Sequence, residues 1–444
     1  NLWFPVAVSH LLTLMQEPNS LVLVGRLAQE SYLDLSTIIS ERLGTVRLFI
    51  GTAILRVLKV PGIEERFLQE PVFELLSRVL FRVKFVSGQN PLDSITLTYL
   101  LPLLINVLEE GKRVAIKNAD KPISRTEFVE EDKEEEHLLL AMEIISTHAE
   151  AFEDSSIPRV PIIQVLLSLL TLPSKAKSAK ECLNALCQSI SVAPTGEDLE
   201  TLISSVLSPN EFVRSTVLQI IDNEFELESM LKHSPEIFIC KFDSDETNAS
   251  VADFIWEFNK FRITDELLHA LFTFFGQPDS GLRLFTARAY AATCRSLIHT
   301  GKRSPDQYVG LLTQFYLEKA EPLKPLLDEY GLVAVAAADR KDPWEERSTA
   351  AIALHQIVDF LDKNDSVTKL VEFLVQDGAL GDREPLVRQE MKEAGIALIT
   401  KHGANNVELL IPIFEESLSA KTASSIKENV IILYGTLARH LNSE

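Results

Sequence analysis

The chain has 444 residues, only 17 of them glycine, with a formal net charge of −21 and a pI near 5.0. Glycine falls well below its usual share of about 7%, while Leu, Ala, Glu and Ile are plentiful, which favours helix over a turn-rich β architecture. The acidic balance excludes a whole-surface attraction to nucleic-acid phosphates, since that binding rests on Lys and Arg displacing counterions, so any contact with RNA must be local.

The chain opens Asn1-Leu2-Trp3-Phe4, with no initiator Met and no basic segment before an apolar stretch. No secretory signal is expected, and a piece of a longer protein is. Glu17-Pro18-Asn19-Ser20, Val60-Pro61-Gly62 and Gly88-Gln89-Asn90-Pro91 read as corners between helices. Near the third corner, Arg78, Arg82 and Lys84 sit beside Phe81 and Phe85, and Arg78 and Arg82 are one helical turn apart, which makes them a candidate contact patch. The longest uncharged apolar stretches, 94–108 and 160–174, fall short of the roughly 18 to 20 residues that span a bilayer, so no membrane helix is expected. Gly111-Lys112-Arg113 and Gly301-Lys302-Arg303 read as helix ends, where glycine suits a left-handed cap and a cation suits the dipole.

Residues 117–136 join Lys117, Lys121 and Arg125 to a run of acids, and like-charge blocks stay solvated, so a mobile charged loop is expected before a helix from Leu138 to Ala149. The run from Ser174 to Lys180 reads as a basic inter-repeat turn. Cys182, Cys187, Cys240 and Cys294 are few and scattered, which fits buried thiols in a reduced, cytosolic setting. Helical spacing is plain in Leu202, Ile203, Val206 and Leu207, then in Val213, Val217, Leu218 and Ile221. Between them stands Ser208-Pro209-Asn210, where Pro209 cannot continue one helix and Asn210 can cap the next. The polar stretch 241–250 is expected as an acidic inter-repeat loop, and as the reason Arg214 and Arg283 stand 69 residues apart.

From Ser280 to Ser304 the chain carries Arg283, Arg288, Arg295, Lys302 and Arg303 and no acid. If one helix continued through it, Arg288, Arg295 and Lys302 would share a face with His299 beside them. This stretch is the first candidate for a local contact with phosphate or with an acidic protein surface. Beyond it one phrase returns: Lys341-Asp342-Pro343-Trp344-Glu345-Glu346-Arg347, then Asp382-Arg383-Glu384-Pro385-Leu386-Val387-Arg388, then Ser424-Ser425-Ile426-Lys427. The basic residue recurs at 347, 388 and 427, steps of 41 and 39. Those steps match the roughly 40 to 47 residues of a HEAT or armadillo helix pair.

The fold class expected is therefore all-α, a HEAT/armadillo-type helical-repeat solenoid of about ten helix pairs forming one continuous array over 1–444. Asp342 and Asp382 precede Arg347 and Arg388 by five and six residues, so stacked repeats could line up a structural ladder of Arg–Asp bonds. Six residues after the arginine comes Ala289, Ala353 or Ala394, and Ile220 in the fourth case, for close helix packing. Catalytic, metal and nucleotide signatures are missing: there is no phosphate-cradling Gly-rich loop, no Gly-x-Ser-x-Gly and no His-Glu-x-x-His. His148 and His355 read as packed or surface residues. No enzyme and no cofactor are expected.

The segment Lys341–His440 carries more than generic repeats. Asp342-Pro343-Trp344-Glu345-Glu346-Arg347-Ser348, Gly381 to Arg388, Leu398-Ile399-Thr400-Lys401-His402-Gly403-Ala404, Leu410 to Glu415 and Tyr434-Gly435-Thr436-Leu437-Ala438-Arg439-His440 closely resemble the giant translational activators of fungal general amino-acid control. The resemblance implies a cytosolic, non-enzymatic HEAT-repeat scaffold that rides on translating or collided ribosomes and helps activate the kinase of initiation factor two alpha. The Gly-Ala-Ala-Tyr-Gly phrase of that family's elongation-factor-three-like region, which binds an ATP-binding-cassette partner, is absent, and the kinase-binding segment lies nearer the family's carboxyl end. The stretch before the elongation-factor-like region is the expected match, with kinase and ATP-binding-cassette contacts outside this chain. The other reading is a nuclear transport or assembly adaptor, since an acidic solenoid suits basic cargo.

Overall fold

A computed structural model of the chain describes residues 80, 83–84, 87–92, 94–119, 128–227, 234–301, 304–327, 333–336, 339–361, 364–420 and 424–440. The described residues are helical almost throughout, as the composition and spacing require, and the chain divides into two units, 1–225 and 226–444.

In the first unit the helices are α1 (Ser94–Ala119), α2 (Phe128–Thr147), α3 (Val160–Leu169), α4 (Ala176–Ile190), α5 (Gly196–Ser204) and α6 (Glu211–Glu224). They alternate between two rows: α1, α3 and α5 lie side by side in one, α2, α4 and α6 in the other. The apolar faces meet between the rows, with Leu166, Leu183, Leu186, Ile203, Val217 and Ile221 fully buried. Caps fix the starts. Thr195 and Asp198 form a reciprocal capping box on α5, and Asn210 Oδ1 accepts the Val213 N–H at 3.2 Å on α6. The antiparallel pair expected around Ser208-Pro209-Asn210 is α5–α6.

The second unit holds α7 (Ser234–Cys240), α8 (Glu246–Phe258), α9 (Asp265–Leu271), α10 (Ser280–His299), α11 (Pro305–Ala320), α12 (Trp344–Ile357), α13 (Asn364–Val375), α14 (Pro385–His402), α15 (Val407–Ser419) and α16 (Ser424–Ala438). Here α10, α12, α14 and α16 pack in sequence, and α11, α13 and α15 form the opposing row. Small residues let the backbones close up: Ala289, Ala353 and Ala394 are buried, and a Cβ placed on Gly395 would stand 2.8 Å from Leu433. Between α11 and α12 a two-residue strand, Leu326–Leu327, pairs antiparallel with Val333–Val335. A solely helical reading misses this hairpin. Pro322 and Pro325 bar continuation of α11, and the Val-Ala-Val run suits extended backbone.

Four expectations need correction. The charged segment 117–136 is not a loop throughout: residues 117–119 end α1 and residues 128–136 open α2, while 120–127 lie outside the described residues. Glutamates are good helix formers and suit the positive end of the dipole, which overrides their mutual repulsion. The loop expected over 241–250 shrinks to 241–245, because Asp245 caps α8 by accepting the Asn248 N–H at 2.8 Å and Asp243 is buried behind it, bonded to Asn248 Nδ2 at 3.2 Å. The 69-residue step from Arg214 to Arg283 holds the further helices α7, α8 and α9 rather than an enlarged loop. Gly111 is no helix end. It lies within α1, where an added Cβ would stand 2.8 Å from Leu138 Cβ, whereas Gly301, with φ of 71°, does follow the end of α10. The basic turn expected over 174–180 is likewise short: Lys175 is buried and paired with Glu135, and α4 begins at Ala176.

Candidate functional site: arginine corners and an outward basic face

Helix pairs leave carbonyls unpaired where one helix stops and the next starts, and a guanidinium with five donors can gather them. Arg214 Nη1 donates to the carbonyls of Ser208 and Pro209 at 3.0 and 3.1 Å. Arg283 Nη1 does the same to Gln277 and Pro278 at 3.1 and 2.8 Å, and Arg388 Nη1 to Asp382 and Arg383 at 2.5 and 3.3 Å. In each case the acceptors are the residues six and five places upstream. The recurrent arginine thus ties its helix to its own corner.

Arg347 is different. Its side chain is fully buried and lies between two carboxylates: Nη1 and Nη2 donate to Asp342 at 2.8 and 2.9 Å, and Nε and Nη2 donate to Asp382 of the next repeat at 2.8 and 2.9 Å. Asp382 also accepts the Tyr316 hydroxyl at 2.6 Å and the Glu384 N–H at 2.8 Å, and Arg383 closes the outside by donating to Asp342 and to the Ala320 carbonyl. The fork therefore joins α11, α12 and α14. Hydrogen bonds from Arg347 and Arg383 hold the Asp342 carboxyl well below the usual carboxylate range. Burial pushes Asp382 up, but Arg347, Tyr316 and the Glu384 amide outweigh it and leave Asp382 below its ordinary value. Burial and the neighbouring Asp382 push the Tyr316 phenol up.

The expected Arg–Asp ladder is thereby corrected at Arg388. It reaches carbonyls rather than a carboxylate, because the position five residues upstream is Arg383 and the Asp382 carboxylate is already taken by Arg347. A rung that sequence reasoning missed stands in the first unit. Arg159 Nη1 meets Asp198 Oδ2 at 2.9 Å with both side chains buried, while Nη1 and Nη2 take the carbonyls of Ala193 and Glu153. The signal was available: Arg159 follows a proline corner, and Asp198 lies 39 residues on, one repeat away. Also unanticipated is a relay across three repeats. Arg283 Nε donates to Ser348 Oγ at 3.2 Å, and Ser348 Oγ donates to Glu390 Oε1 at 3.0 Å. Burial pushes the Glu390 carboxyl up to about 7.

The acid-free stretch splits between inside and outside. Arg283 is buried, under Trp344 at 5.0 Å, while Arg288, Arg295 and His299 are exposed on α10, and the Arg295 guanidinium lies 5.5 Å from the Phe360 ring centroid. The helix that carries Arg288 and Arg295 ends at His299, and Gly301 just beyond it is left-handed. Lys302 and Arg303 themselves lie outside the described residues, as do Arg78 and Arg82. Lys84 is exposed and pairs with Glu143. His148 is buried and bonded at both nitrogens, to Ile144 O at 2.7 Å and to the Leu92 N–H at 3.0 Å, and burial lowers its pKa. Burial raises the thiols, Cys182 to about 11 and Cys187 further. Among the described residues no cluster of His, Cys, Asp and Glu is arranged to hold a metal ion, and no helix is long and apolar enough to cross a membrane.

Comparison with known proteins bears on these repeats directly. A family model described as stalled ribosome sensor GCN1, HEAT repeats, matches residues 222–439, and one described as fungal GCN1-like, HEAT repeats, matches residues 39–171. The chain belongs to the GCN1 family of HEAT-repeat proteins. It is 62% identical over 443 residues to the eIF-2-alpha kinase activator GCN1 of Saccharomyces cerevisiae, covering 99% of this chain and 16% of that protein. The human stalled ribosome sensor GCN1 is 24% identical over 488 residues, and the Arabidopsis thaliana protein ILITYHIA 27% over 292. The chain spans about one sixth of the length of the GCN1 relatives from yeast and human, 16% and 17%. The arginine corners lie in a stretch that matches about one sixth of the length of these GCN1 relatives.

Proposed function

We propose that this chain is a non-enzymatic scaffold segment of a cytoplasmic, ribosome-associated translational activator, one that senses stalled or collided ribosomes and promotes activation of the kinase of initiation factor two alpha. The observation that carries this reading is the 62% identity, sustained over 443 residues, with a protein named for activating that kinase, beside relatives named as stalled ribosome sensors. The physical reading of the residues agrees with it. Helix pairs tied by buried arginines make a spacer with long side surfaces, and such arrays act through surfaces. In this reading residues 1–444 form one continuous array, the ribosome is met through exposed cations, with Arg288 and Arg295 foremost, and contacts with the kinase and an ATP-binding-cassette partner belong to regions outside this chain.

The test is ribosome co-sedimentation of the full-length protein carrying Arg288→Glu and Arg295→Glu across a salt series. Phosphate contacts release counterions, so the reversal is expected to weaken association and flatten its salt dependence while the helical content stays unchanged. Association equal to the parent at every salt concentration would remove this face from the proposal. Binding of basic import signals in place of ribosomes would favour a transport adaptor.

A further inference from the structure

The first unit carries a groove of about 340 Å³ between α4 and α6. Carboxamides line both walls, Asn184 and Gln188 from α4 and Gln219 and Asn223 from α6, while Ala185 and Ile220 supply apolar surface. The members of each pair are four residues apart, so they stand on one face of their helix with a rise of about 6 Å between them. Gln219 is partly used: its Oε1 accepts from Lys180 Nζ at 3.1 Å and its Nε2 donates to Ser215 Oγ at 3.4 Å. Asn184, Gln188 and Asn223 are exposed, and their side chains make no hydrogen bond among the described residues. A carboxamide has two donors and two acceptor lone pairs, so three of the four groups bring that whole capacity to a ligand.

That pattern selects among ligands. The one charged lining residue is Glu224, and Lys180 nearby is already held by Gln219 and by the Phe212 ring, 5.6 Å away. A nucleic-acid backbone would therefore meet a carboxylate and no cation in the lining. An apolar helix would strip water from the amides and leave them unpaired, which costs free energy at every group. A peptide group offers what a carboxamide matches, one N–H and one C=O. In an extended chain alternate residues turn these groups to the same edge at intervals of roughly 6.7 Å, close to the rise between the paired amides. One wall can then serve each edge. We propose that this groove holds an extended segment of a partner protein, read through its backbone by Asn184, Gln188 and Asn223. Main-chain bonds carry the recognition, so many side chains are tolerated. The volume is at the small end of the roughly 300 to 1,000 Å³ of ligand sites, which suits a short stretch of chain and not a folded surface.

The experiment titrates the 444-residue chain, with isotope-labelled Ala and Ile methyls, against three probes. They are a blocked hexapeptide of alternating Ala and Ser, the same peptide with every backbone nitrogen methylated, and adenosine monophosphate. The unmodified peptide should shift the methyls of Ala185 and Ile220 saturably and leave Ile399 in the second unit unmoved. The methylated peptide has no N–H to donate and should shift neither lining residue. Asn184 and Gln188 are exposed on a helix, where alanine is well tolerated. Asn184→Ala with Gln188→Ala should therefore keep the circular-dichroism spectrum and weaken binding about tenfold, a loss of about 1.4 kcal/mol. Asn223→Ala should weaken it by a smaller factor. No saturable shift with the unmodified peptide, an equal response to the methylated one, or unchanged affinity in the double variant would overturn the proposal. So would a saturable response to adenosine monophosphate in place of the peptide, because the amides would then be reading a nucleobase. Ribosome association plays no part in this readout, so its failure and the failure of the scaffold reading are told apart.

Discussion

The corners at Arg347 and Arg388 are one repeat apart and carry the same phrase, yet they hold the molecule in different ways. Arg388 gathers two carbonyls of its own corner and stays half-buried, whereas Arg347 is fully buried and bridges two aspartates, one of them in the next repeat. The difference comes from one position. Five residues upstream Arg347 finds Asp342, but Arg388 finds Arg383, which itself turns to Asp342. A repeat signature therefore fixes where a guanidinium sits, and its neighbours decide whether it closes a corner or joins repeats.

The sharpest way to break this contrast is Arg347→Ala. It leaves Asp382 buried without its cation, and loss of one partner of such a pair costs about 3 to 5 kcal/mol. Urea unfolding should show a large drop for the second unit. Arg159→Ala should act on the same scale in the first unit, because Asp198 is equally buried. Arg388→Ala removes bonds to carbonyls that water can partly reach, so a loss of about 1 kcal/mol is expected. Equal losses for Arg347 and Arg388 would erase the distinction.

The titrating groups sharpen the comparison with opposite signs. Asp342 and Asp382 are lowered in the folded chain, so their contribution is present above the ordinary carboxylate pKa and is lost as pH falls through their folded values. Glu390 is raised to about 7, so the folded chain holds a proton the unfolded chain has released, and stability falls as pH rises from the ordinary value of 4.5 toward 7. Glu390→Gln keeps an acceptor for Ser348 without the charge. It should stabilise the second unit at pH 8 by roughly 1 kcal/mol, discounted for the exposed part of the group, and leave it unchanged at pH 4. The smallest effect is expected from Arg288→Glu with Arg295→Glu. Both are exposed, so the unfolding midpoint should move by less than about 0.5 kcal/mol even if ribosome association falls.

Much of this architecture was legible in particular residues. Asn210 and the 41- and 39-residue steps mark helix starts because capping and the helical period are local physics. The loops over 117–136 and 241–250 were misjudged because charge was read as solvation. Acids such as Glu130 and Glu131 sit within a helix, and Asp245 caps the next helix with Asp243 buried behind it. The interior of the fork was only half legible. Asp342 and Arg347 are close in sequence, but Tyr316 and Asp382 reach the same guanidinium's surroundings from 31 residues before and 35 after, and only packing brings them there. The helix of Arg288 and Arg295 stops at His299, two residues before the left-handed Gly301, and the unbroken helix assumed from the spacing does not reach Gly301.

The central claim is that Arg347 joins neighbouring repeats while Arg388 closes its own corner. Native-state hydrogen exchange of α12 and α14 amides in a double-mutant cycle measures it most directly, with Arg347→Ala, Asp382→Ala and both together, beside the same cycle for Arg388. The account predicts a coupling of about 2 kcal/mol or more between Arg347 and Asp382 and close to none between Arg388 and the Asp382 side chain. Equal couplings in the two cycles, or no coupling in the first, would contradict it.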